Sequence, residues 1–349
     1  MKGNIISSSA TLLQALERLN TLPGSAMTLF VTDDCNRVIG SLTDGDIRRG
    51  LLRGLSLQSP VSEAACTSFR AVTADGDNVE FLRDCRSRGI KLVPRLNADG
   101  SLAEIIDLNA TRTRLPLGAI LMAGGMGERL RPLTLTTPKP LLEIEGKAII
   151  AYNIEALAAV GVNDITVTTR YLAEKIEEHF AAPVAGVQVK CVKEEQPLGT
   201  IGAARLADIP AEGNTIVMNS DLLTTISFEE LYLKHKSSEA DATIAVIPYQ
   251  ISVPYAILTL DGERVTGIEE KPSYSYYANA GIYIFNNRLL RGLPADKRVD
   301  ATDLLEQIMA DGAHVAYYPI KGTWIDVGSP VDFKQATELM RHHKNLTNS

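Results

Sequence analysis

Apolar positions along the chain repeat with two different periods, and these periods predict its elements. Leu12, Leu13, Leu16 and Leu19 recur every three or four residues behind Ser9, which predicts a helix with one apolar stripe. Pro23 and Gly24 end it. Residues 27–31 and 38–42 read as strands around a turn at 33–36, and a second helix runs from Asp44 through Ile47 to Leu52. A weaker copy follows after roughly sixty residues, a spacing that suggests a pseudo-symmetric tandem. In it Val79, Leu82 and Cys85 form a helical stripe, 90–94 and 102–106 are strands, and 97–100 is a turn. The polar, proline-ended stretch 111–116 places a domain boundary near residue 114.

Beyond that boundary the two periods alternate. Strands are predicted at 117–122, 165–168, 187–192, 215–218 and 242–247, and helices at 149–160, 173–180, 199–207 and 228–236. Alternation of this kind implies a doubly wound, mostly parallel α/β sheet. Residues 255–260, 265–270 and 281–285 read as strands joined by short turns, a mixed extension of the sheet. A helix at 301–310, a strand at 314–319 and a helix at 330–344 complete the pattern. The predicted organisation is thus a smaller α+β domain over 1–114 and an α/β domain over 115–349.

Composition narrows the function classes. Of 349 residues, 45% are hydrophobic and 22% charged, as in an ordinary globular protein, and the net charge is −7. An acidic balance with only 5% aromatic residues argues against nucleic acid as a partner. No apolar run approaches the roughly 18 residues that span a bilayer, and the first twenty residues lack a signal-peptide core, so no membrane association is expected. Cys35, Cys66, Cys85 and Cys191 are scattered without a C-x-x-C pair, which points to reduced thiols and a cytoplasmic location. The histidines show no metal-ligand spacing.

Candidate chemistry concentrates at 121–142. Gly124, Gly125 and Gly127 follow a buried strand, and Arg129, Arg131 and Lys139 put three cations close behind them. Glycines let backbone N–H groups approach an anion, and a strand–loop–helix turn aims them at phosphates. The stretch is neither a Rossmann fingerprint, since Leu130 stands where a third glycine is needed, nor a Walker loop. Asp221 closes another predicted strand, and ligands in such sheets bind outside the carboxyl ends of strands. Taken alone, Asp221 reads first as a helix cap and Lys271 as a solvated turn residue, and Asp326 reads also as a turn former.

Six motifs in order, however, resemble the sugar-phosphate nucleotidyltransferases, most closely the mannose-1-phosphate guanylyltransferase-like group. They are G-G-x-G-x-R-L-x-P-L-T with T-P-K-P-L-L at 124–142, EEQPLGTIGAA at 194–204, Asn219-Ser220-Asp221, Glu269-Glu270-Lys271-Pro272, Asn279-Ala280-Gly281-Ile282-Tyr283, and Trp324-Ile325-Asp326-Val327-Gly328. The resemblance implies a Rossmann-like nucleotide-diphospho-sugar transferase fold. It also implies the reaction of GTP, or another nucleoside triphosphate such as UTP, with a hexose- or hexosamine-1-phosphate to give an activated sugar and pyrophosphate. It assigns Arg129, Lys139, Asp221 and Lys271 to catalysis, and Asp221 and Asp326 to Mg²⁺. Ala123, Gly124, Gly125, Gly127, Arg129, Glu194, Leu198, Gly199 and Thr200 would bind the nucleotide, and Glu270, Lys271 and Asn279 the sugar phosphate. The chain departs from the pattern at Glu128, Ser220 and Ala256, where the family often has threonine, glycine and glycine. A homo-oligomer is expected. The rival reading is a non-catalytic nucleotide-sensing protein, against which the intact Arg129, Lys139, Asp221, Lys271 and Asp326 argue.

In the first third, Gly40, Thr43 and Asp46 followed by Ile47-Arg48-Arg49 form G-x-x-T-x-x-D-I-R-R, which resembles a CBS-domain signature. A tandem CBS pair implies a regulatory or dimerising module and an adenine nucleotide as ligand. Thr43 would donate to a phosphate and Asp46 accept from ribose hydroxyls, although helix capping alone selects the same residues. The second copy reads Glu104-Ile105-Ile106-Asp107-Leu108 and lacks the pattern.

Overall fold

The computed structural model describes the backbone of residues 2–22, 27–73 and 78–347 and the side chains of those between 3 and 341. The predicted turn at Pro23 and Gly24 and the side chains of His342 and His343 lie outside the described residues. The chain divides into two compact units: Met1–Leu115 with Ala159–Gly161, and Pro116–Ala158 with Val162–Ser349. No helix among the described residues is long and apolar enough to cross a membrane.

The first unit contains β1 (Ile5–Ser7), α1 (Leu12–Thr21), β2 (Thr28–Thr32), β3 (Val38–Thr43) and α2 (Asp44–Leu52), then β4 (Val72–Thr73), α3 (Val79–Ser87), β5 (Leu92–Leu96) and β6 (Leu102–Asp107). Strands β1-β2-β3 form one sheet and β4-β5-β6 another, each with its first pair parallel and its second antiparallel. Each sheet packs on its own helix stripe. Leu12, Ala15 and Leu19 join Leu29, Val31, Leu42 and Ile47, while Leu82 and Cys85 join Val93 and Ile106. Phe30, Val38 and Leu92 form a small core shared by the two halves.

Helix α1 starts behind Thr11, not Ser9. The Thr11 hydroxyl accepts from the Gln14 N–H at 3.3 Å while the Gln14 carbonyl oxygen accepts from the Thr11 N–H at 3.0 Å. This reciprocal cap needs an acceptor side chain three residues on, and Leu12 in that position after Ser9 has none. Thr43 and Asp46 cap α2 in the same way, with Asp46 accepting from the Thr43 N–H at 2.9 Å and hydroxyl at 2.6 Å, and from Arg49.

The second unit contains β7 (Leu117–Ala123), β8 (Glu143–Ile144), β9 (Lys147–Ala148), α4 (Ile149–Ala159), β10 (Ile165–Thr169), α5 (Ala173–His179), β11 (Lys190–Lys193), β12 (Asn214–Asn219), β13 (Leu222–Thr224) and α6 (Phe228–Ser237). It continues with β14 (Ala242–Ser252), β15 (Ile257–Asp261), β16 (Arg264–Glu269), β17 (Ser273–Asn286), α7 (Asn287–Arg291), α8 (Ala301–Ala310), β18 (Val315–Pro319), β19 (Trp324–Asp326) and α9 (Pro330–Thr347). Seven strands form one sheet in the order β11-β10-β7-β12-β17-β14-β18. All neighbours are parallel except β17, which runs antiparallel to both β12 and β14. The sheet is therefore Rossmann-like and mixed. The chain leaves β7 toward β10 on one side and reaches β12 on the other, so the carboxyl ends of β7 and β12 flank a switch point, where ligands bind in such sheets.

Four details differ from the sequence expectation. No α-helix follows the glycine loop; three short 3₁₀ turns do, at Glu128–Leu130, Leu133–Leu135 and Lys139–Leu141. Pro132, Pro138 and Pro140 lack the N–H a helix needs and restrict the residues before them. The segment after Gly199 is a 3₁₀ turn, Gly202–Leu206, because the Val299 carbonyl takes the Ile201 and Gly202 N–H groups, each at 3.2 Å. Strand β11 starts at Lys190, since Val184 and Val187 close a turn on each other just before it. Strand β14 runs past Pro248 to Ser252. Its β18 partner ends opposite Val246, so the missing proline N–H falls on a free edge.

His235 on α6 is buried, and one ring nitrogen lies 2.9 Å from the Thr243 hydroxyl. Burial pushes its pKa down to about 4 from 6.5. The unfolded chain therefore binds the extra proton first, and stability is lost as pH falls through that window, by up to about 3 kcal/mol. His235→Asn should flatten the fall in Tm between neutral pH and pH 4; an unchanged profile would contradict this.

Candidate active site

Strand β7 ends at Ala123, and the chain then passes through Gly124, Gly125 and Gly127. Gly127 sits at φ 61°, and a Cβ there would lie 2.9 Å from the Thr134 methyl and 3.1 Å from the Lys139 Cβ. The Thr134 hydroxyl donates to the Gly127 carbonyl at 2.8 Å. The loop is thus folded back onto Lys139, whose backbone is fixed between Pro138 and Pro140.

The Lys139 ammonium is buried and ion-paired with Asp221, and it lies 3.5 Å from Asp326 Oδ1. Two short strands bring these carboxylates together. β13 and β19 pair antiparallel, Leu222 opposite Asp326, and the Val327 N–H donates to the Asp221 carbonyl at 3.1 Å. Leu223, Ile325 and Val327 are buried with Leu130 and Leu142 from the glycine-loop segment. Burial of such side chains is worth roughly 1.5–3 kcal/mol each, which locks the loop and both aspartates into one body.

The electrostatics of this cluster are unbalanced. Burial raises the Asp326 pKa, and the Asp221 charge raises it further against the opposing Lys139 and Arg129. Asp221 Oδ1 is buried and has no hydrogen-bond partner. Ser220 ties the two strand ends: its N–H and hydroxyl both donate to the Met122 carbonyl, at 3.2 and 2.7 Å.

A cavity of about 330 Å³ opens over the carboxyl ends of β7 and β12. Ala123, Gly124, Gly125, Lys139 and Asp221 line one side, and Glu194, Gly199 and Thr200 the other. Glu194 is buried, and burial raises its pKa against the Leu198 N–H, which donates to it at 3.3 Å, and the Arg170 charge. Its carboxylate occupies the space any side chain at Gly124 would need. The Thr200 hydroxyl accepts from the Ala301 N–H at 2.8 Å, and the Thr200 N–H donates to Asp300 Oδ1 at 2.9 Å, so Thr200 caps α8 across the chain.

A second cavity of about 400 Å³ shares Thr200, Asn219, Arg298 and Asp300 with the first and extends to Asn279, Trp324 and Asp326. Asn279 donates to the Tyr283 hydroxyl and accepts from the Gly281 N–H, both at 2.9 Å. The Trp324 indole donates to the Ala280 carbonyl at 2.9 Å, which joins the Asp326 strand to the Asn279 strand.

The structure therefore gathers Lys139, Asp221, Asp326, Ala123, Gly124, Gly125, Glu194, Gly199, Thr200 and Asn279 around two adjoining cavities. Gly127 and Leu198 shape the walls from behind. Arg129, Glu270 and Lys271 are exposed and line neither cavity. Arg129 lies against Gly328, where a Cβ would be 2.9 Å from its guanidinium, on the Asp326 side of the site. Lys271 holds a left-handed φ of 46° between β16 and β17. Arg170, Arg298 and Asp300 line the first cavity although sequence reasoning passed over them. Arg170 had a signal, since it lies two residues past a predicted strand; Asp300 had one as the residue before a predicted helix.

Residues 118–343 match the model of a protein family described as nucleotidyl transferase. The chain belongs to that family. Among curated relatives, it is 34% identical over 231 residues to a mannose-1-phosphate guanyltransferase of Neurospora crassa, covering 63% of each protein. It is 32% identical over 227 residues to the mannose-1-phosphate guanylyltransferase catalytic subunit beta of Danio rerio, covering 62% of each. The chain thus spans less than two thirds of the length of these relatives. Among solved structures it resembles HddC from Yersinia pseudotuberculosis, complexed with GMP-PN, at 26% identity and a TM-score of 0.50, over 64% of this chain and 99% of that one.

Proposed function

We propose that the second unit transfers a nucleotidyl group from a nucleoside triphosphate to a sugar-1-phosphate. An oxygen of the sugar phosphate attacks the α-phosphorus, one P–O bond forms, and the bond to the departing pyrophosphate breaks. No protein nucleophile is required; the residues position two anions and neutralise charge. The observation that carries this reading is the buried Lys139 ammonium shared by Asp221 and Asp326 beside the glycine loop.

In this reading the N–H groups of Gly124 and Gly125 hold phosphate oxygens, and Arg129 supplies a bidentate fork at the outer end of the triphosphate. Lys139 faces the α-phosphate, Asn279 holds the sugar, and Lys271 with Glu270 anchors the sugar phosphate. Among the described residues no group of three or more His, Cys, Asp or Glu side chains is placed to hold a metal. Mg²⁺ asks less of a protein: one or two carboxylates, with phosphate oxygens and water completing its shell. The unpartnered buried Asp221 oxygen and the nearby Asp326 carboxylate fit it. Mg²⁺ bound there would offset charge on the reacting phosphate.

GTP is the favoured triphosphate, on the strength of the guanylyl relatives and of Glu194. Buried in the first cavity, its carboxylate accepts hydrogen bonds when ionised, and guanine offers donors at N1 and N2. Purified protein with Mg²⁺, a panel of nucleoside triphosphates and a panel of hexose- and hexosamine-1-phosphates should release pyrophosphate fastest with GTP. Release with UTP and none with GTP would overturn the base assignment.

For the first unit we propose a tandem CBS pair that takes an adenine nucleotide. Its support is the repeated sheet order and a cavity of about 580 Å³ lined by Thr43, Phe69, Arg70, Arg88 and Lys91, an apolar and cationic mixture suited to a base and a phosphate. The same assay with added AMP or ATP should show altered kinetics. Unchanged kinetics and no thermal shift with either would leave the unit structural.

A further inference from the structure

One cation in the wall of the first cavity has no partner. Among the described residues, the cationic side chains lining that cavity are Lys139, Arg170 and Arg298. Lys139 is shared by Asp221 and Asp326, and Arg298 pairs with Asp300 at 3.0 Å. Arg170 is half-buried and makes no hydrogen bond or ion pair among the described residues, although its charge reaches Glu194. A guanidinium carries five N–H donors in a planar fork, and here the fork is free to donate to a ligand.

Sheet register sets what that ligand would show it. β10 and β11 run parallel with Thr169 opposite Lys193, and the Glu194 N–H donates to the Thr169 carbonyl at 2.8 Å. Arg170 and Glu194 are the next residue of each strand, so they leave the sheet side by side at its carboxyl edge and line the same cavity. In the strand order β11-β10-β7-β12, the glycine loop follows β7 and Asp221 follows β12. At about 4.8 Å per strand, the Arg170 strand is about 10 Å from β12 and the Glu194 strand about 14 Å. Both residues therefore stand away from the reacting end, across the strand that carries the phosphate loop.

We infer that Arg170 is a specificity-determining residue, whose fork reads the O6 and N7 edge of guanine while Glu194 takes N1 and N2. The inference rests on the guanine reading of Glu194 and deepens it. Along the edge of guanine two donors, N2 and N1, are followed by two acceptors, O6 and N7. A carboxylate beside a guanidinium offers two acceptors followed by a donor fork, which is the complementary order. Adenine would set its N6 donor against the fork and its N1 acceptor against the carboxylate. Uracil presents an acceptor on either side of its N3–H, so a carboxylate taking that proton meets an oxygen beside it. Each mismatch leaves a polar group desolvated and unpaired, which is how a site rejects a wrong base. A phosphate is the other group a free guanidinium would take. The glycine loop and Lys139 already stand at that end, and Arg170 lies on the far side of the loop's strand from Asp221.

Arg170→Met should lower kcat/KM for GTP by about 10–100-fold, mainly through KM, and for UTP and ATP by far less. Arg170→Lys should recover part of the loss, because an ammonium still donates to O6. Both variants should melt as wild type does, since the guanidinium has no partner in the chain to lose. 7-Deaza-GTP, which lacks the N7 acceptor, should be a poorer substrate than GTP for wild type and an equal one for Arg170→Met. A loss shared equally by all triphosphates would make Arg170 a phosphate ligand and overturn the inference, as would wild type that uses 7-deaza-GTP as well as GTP. Titration calorimetry with GDP and UDP needs no turnover and separates the inference from the reading beneath it. Wild type that binds UDP more tightly than GDP removes the guanine assignment and this inference together. Wild type that prefers GDP by a margin Arg170→Met leaves intact removes this inference alone.

Discussion

Replacing Asp221 with Asn should lower kcat by about 10³-fold or more while the chain stays folded. The asparagine keeps the size and one carbonyl oxygen of the native side chain but loses the charge. The fold tolerates the loss because the native cluster holds two carboxylates against one ammonium, and the Asp221 charge raises the energy of the ionised Asp326. Removing one relieves that repulsion, and Asp326 remains within 3.5 Å to pair Lys139. The backbone tie from Val327 to the Asp221 carbonyl and the Ser220 bonds to Met122 do not depend on the side chain. Stability should therefore match wild type or exceed it, and the Asp326 pKa should move back toward the usual carboxylate range. Steady-state kinetics with a parallel thermal melt reads both. Normal turnover would refute the role of Asp221, and an unfolded variant would refute the electrostatic account.

Lys139→Met should behave in the opposite way, costing both activity and stability. The methionine fills the same space against Gly127 but leaves two carboxylates without their cation. Breaking a buried pair from one side typically costs about 3–5 kcal/mol, and loss of a cation facing the reacting phosphate about 10²–10³-fold in kcat. The stability loss should depend on pH with a definite sign. The folded state already holds the Asp326 proton more tightly than the unfolded chain does, so acidification stabilises and stability falls as pH rises through the folded pKa. In Lys139→Met this dependence should be steeper. Millimolar Mg²⁺ should restore part of the lost Tm, because a cation between the carboxylates replaces the ammonium. A variant as stable as wild type at alkaline pH without Mg²⁺ would contradict the account.

Much of the second unit was legible in the sequence because its strands are long enough to show a period and its glycine loop, aspartates and prolines are compact in sequence. The unreadable parts share a physical cause. Strands β13 and β19 are three residues each and pair across about a hundred positions, so no period marks them, yet they place Asp221 beside Asp326. Thr200 looked like a helix start, and its hydroxyl instead caps α8 from another part of the chain. Arg298 and Asp300 reach the cavity on a segment that docks on the residues around Thr200, with the Val299 N–H donating to the Leu198 carbonyl at 2.9 Å and the Val299 carbonyl accepting from Ile201 and Gly202. Arg129, Glu270 and Lys271 carry the motif but line neither cavity. A motif fixes their order along the chain and carries no information on their distance from the cleft.

The central claim is that one cleft joins a nucleoside triphosphate to a sugar-1-phosphate. Quench reactions containing Mg²⁺, GTP and each sugar-1-phosphate in turn, and quantify pyrophosphate and nucleotide-sugar together by mass spectrometry. The account predicts the two products in equal amounts, formed only when both substrates are present and absent with Asp221→Asn. Pyrophosphate without a nucleotide-sugar, or no product from any pair of substrates, would contradict it.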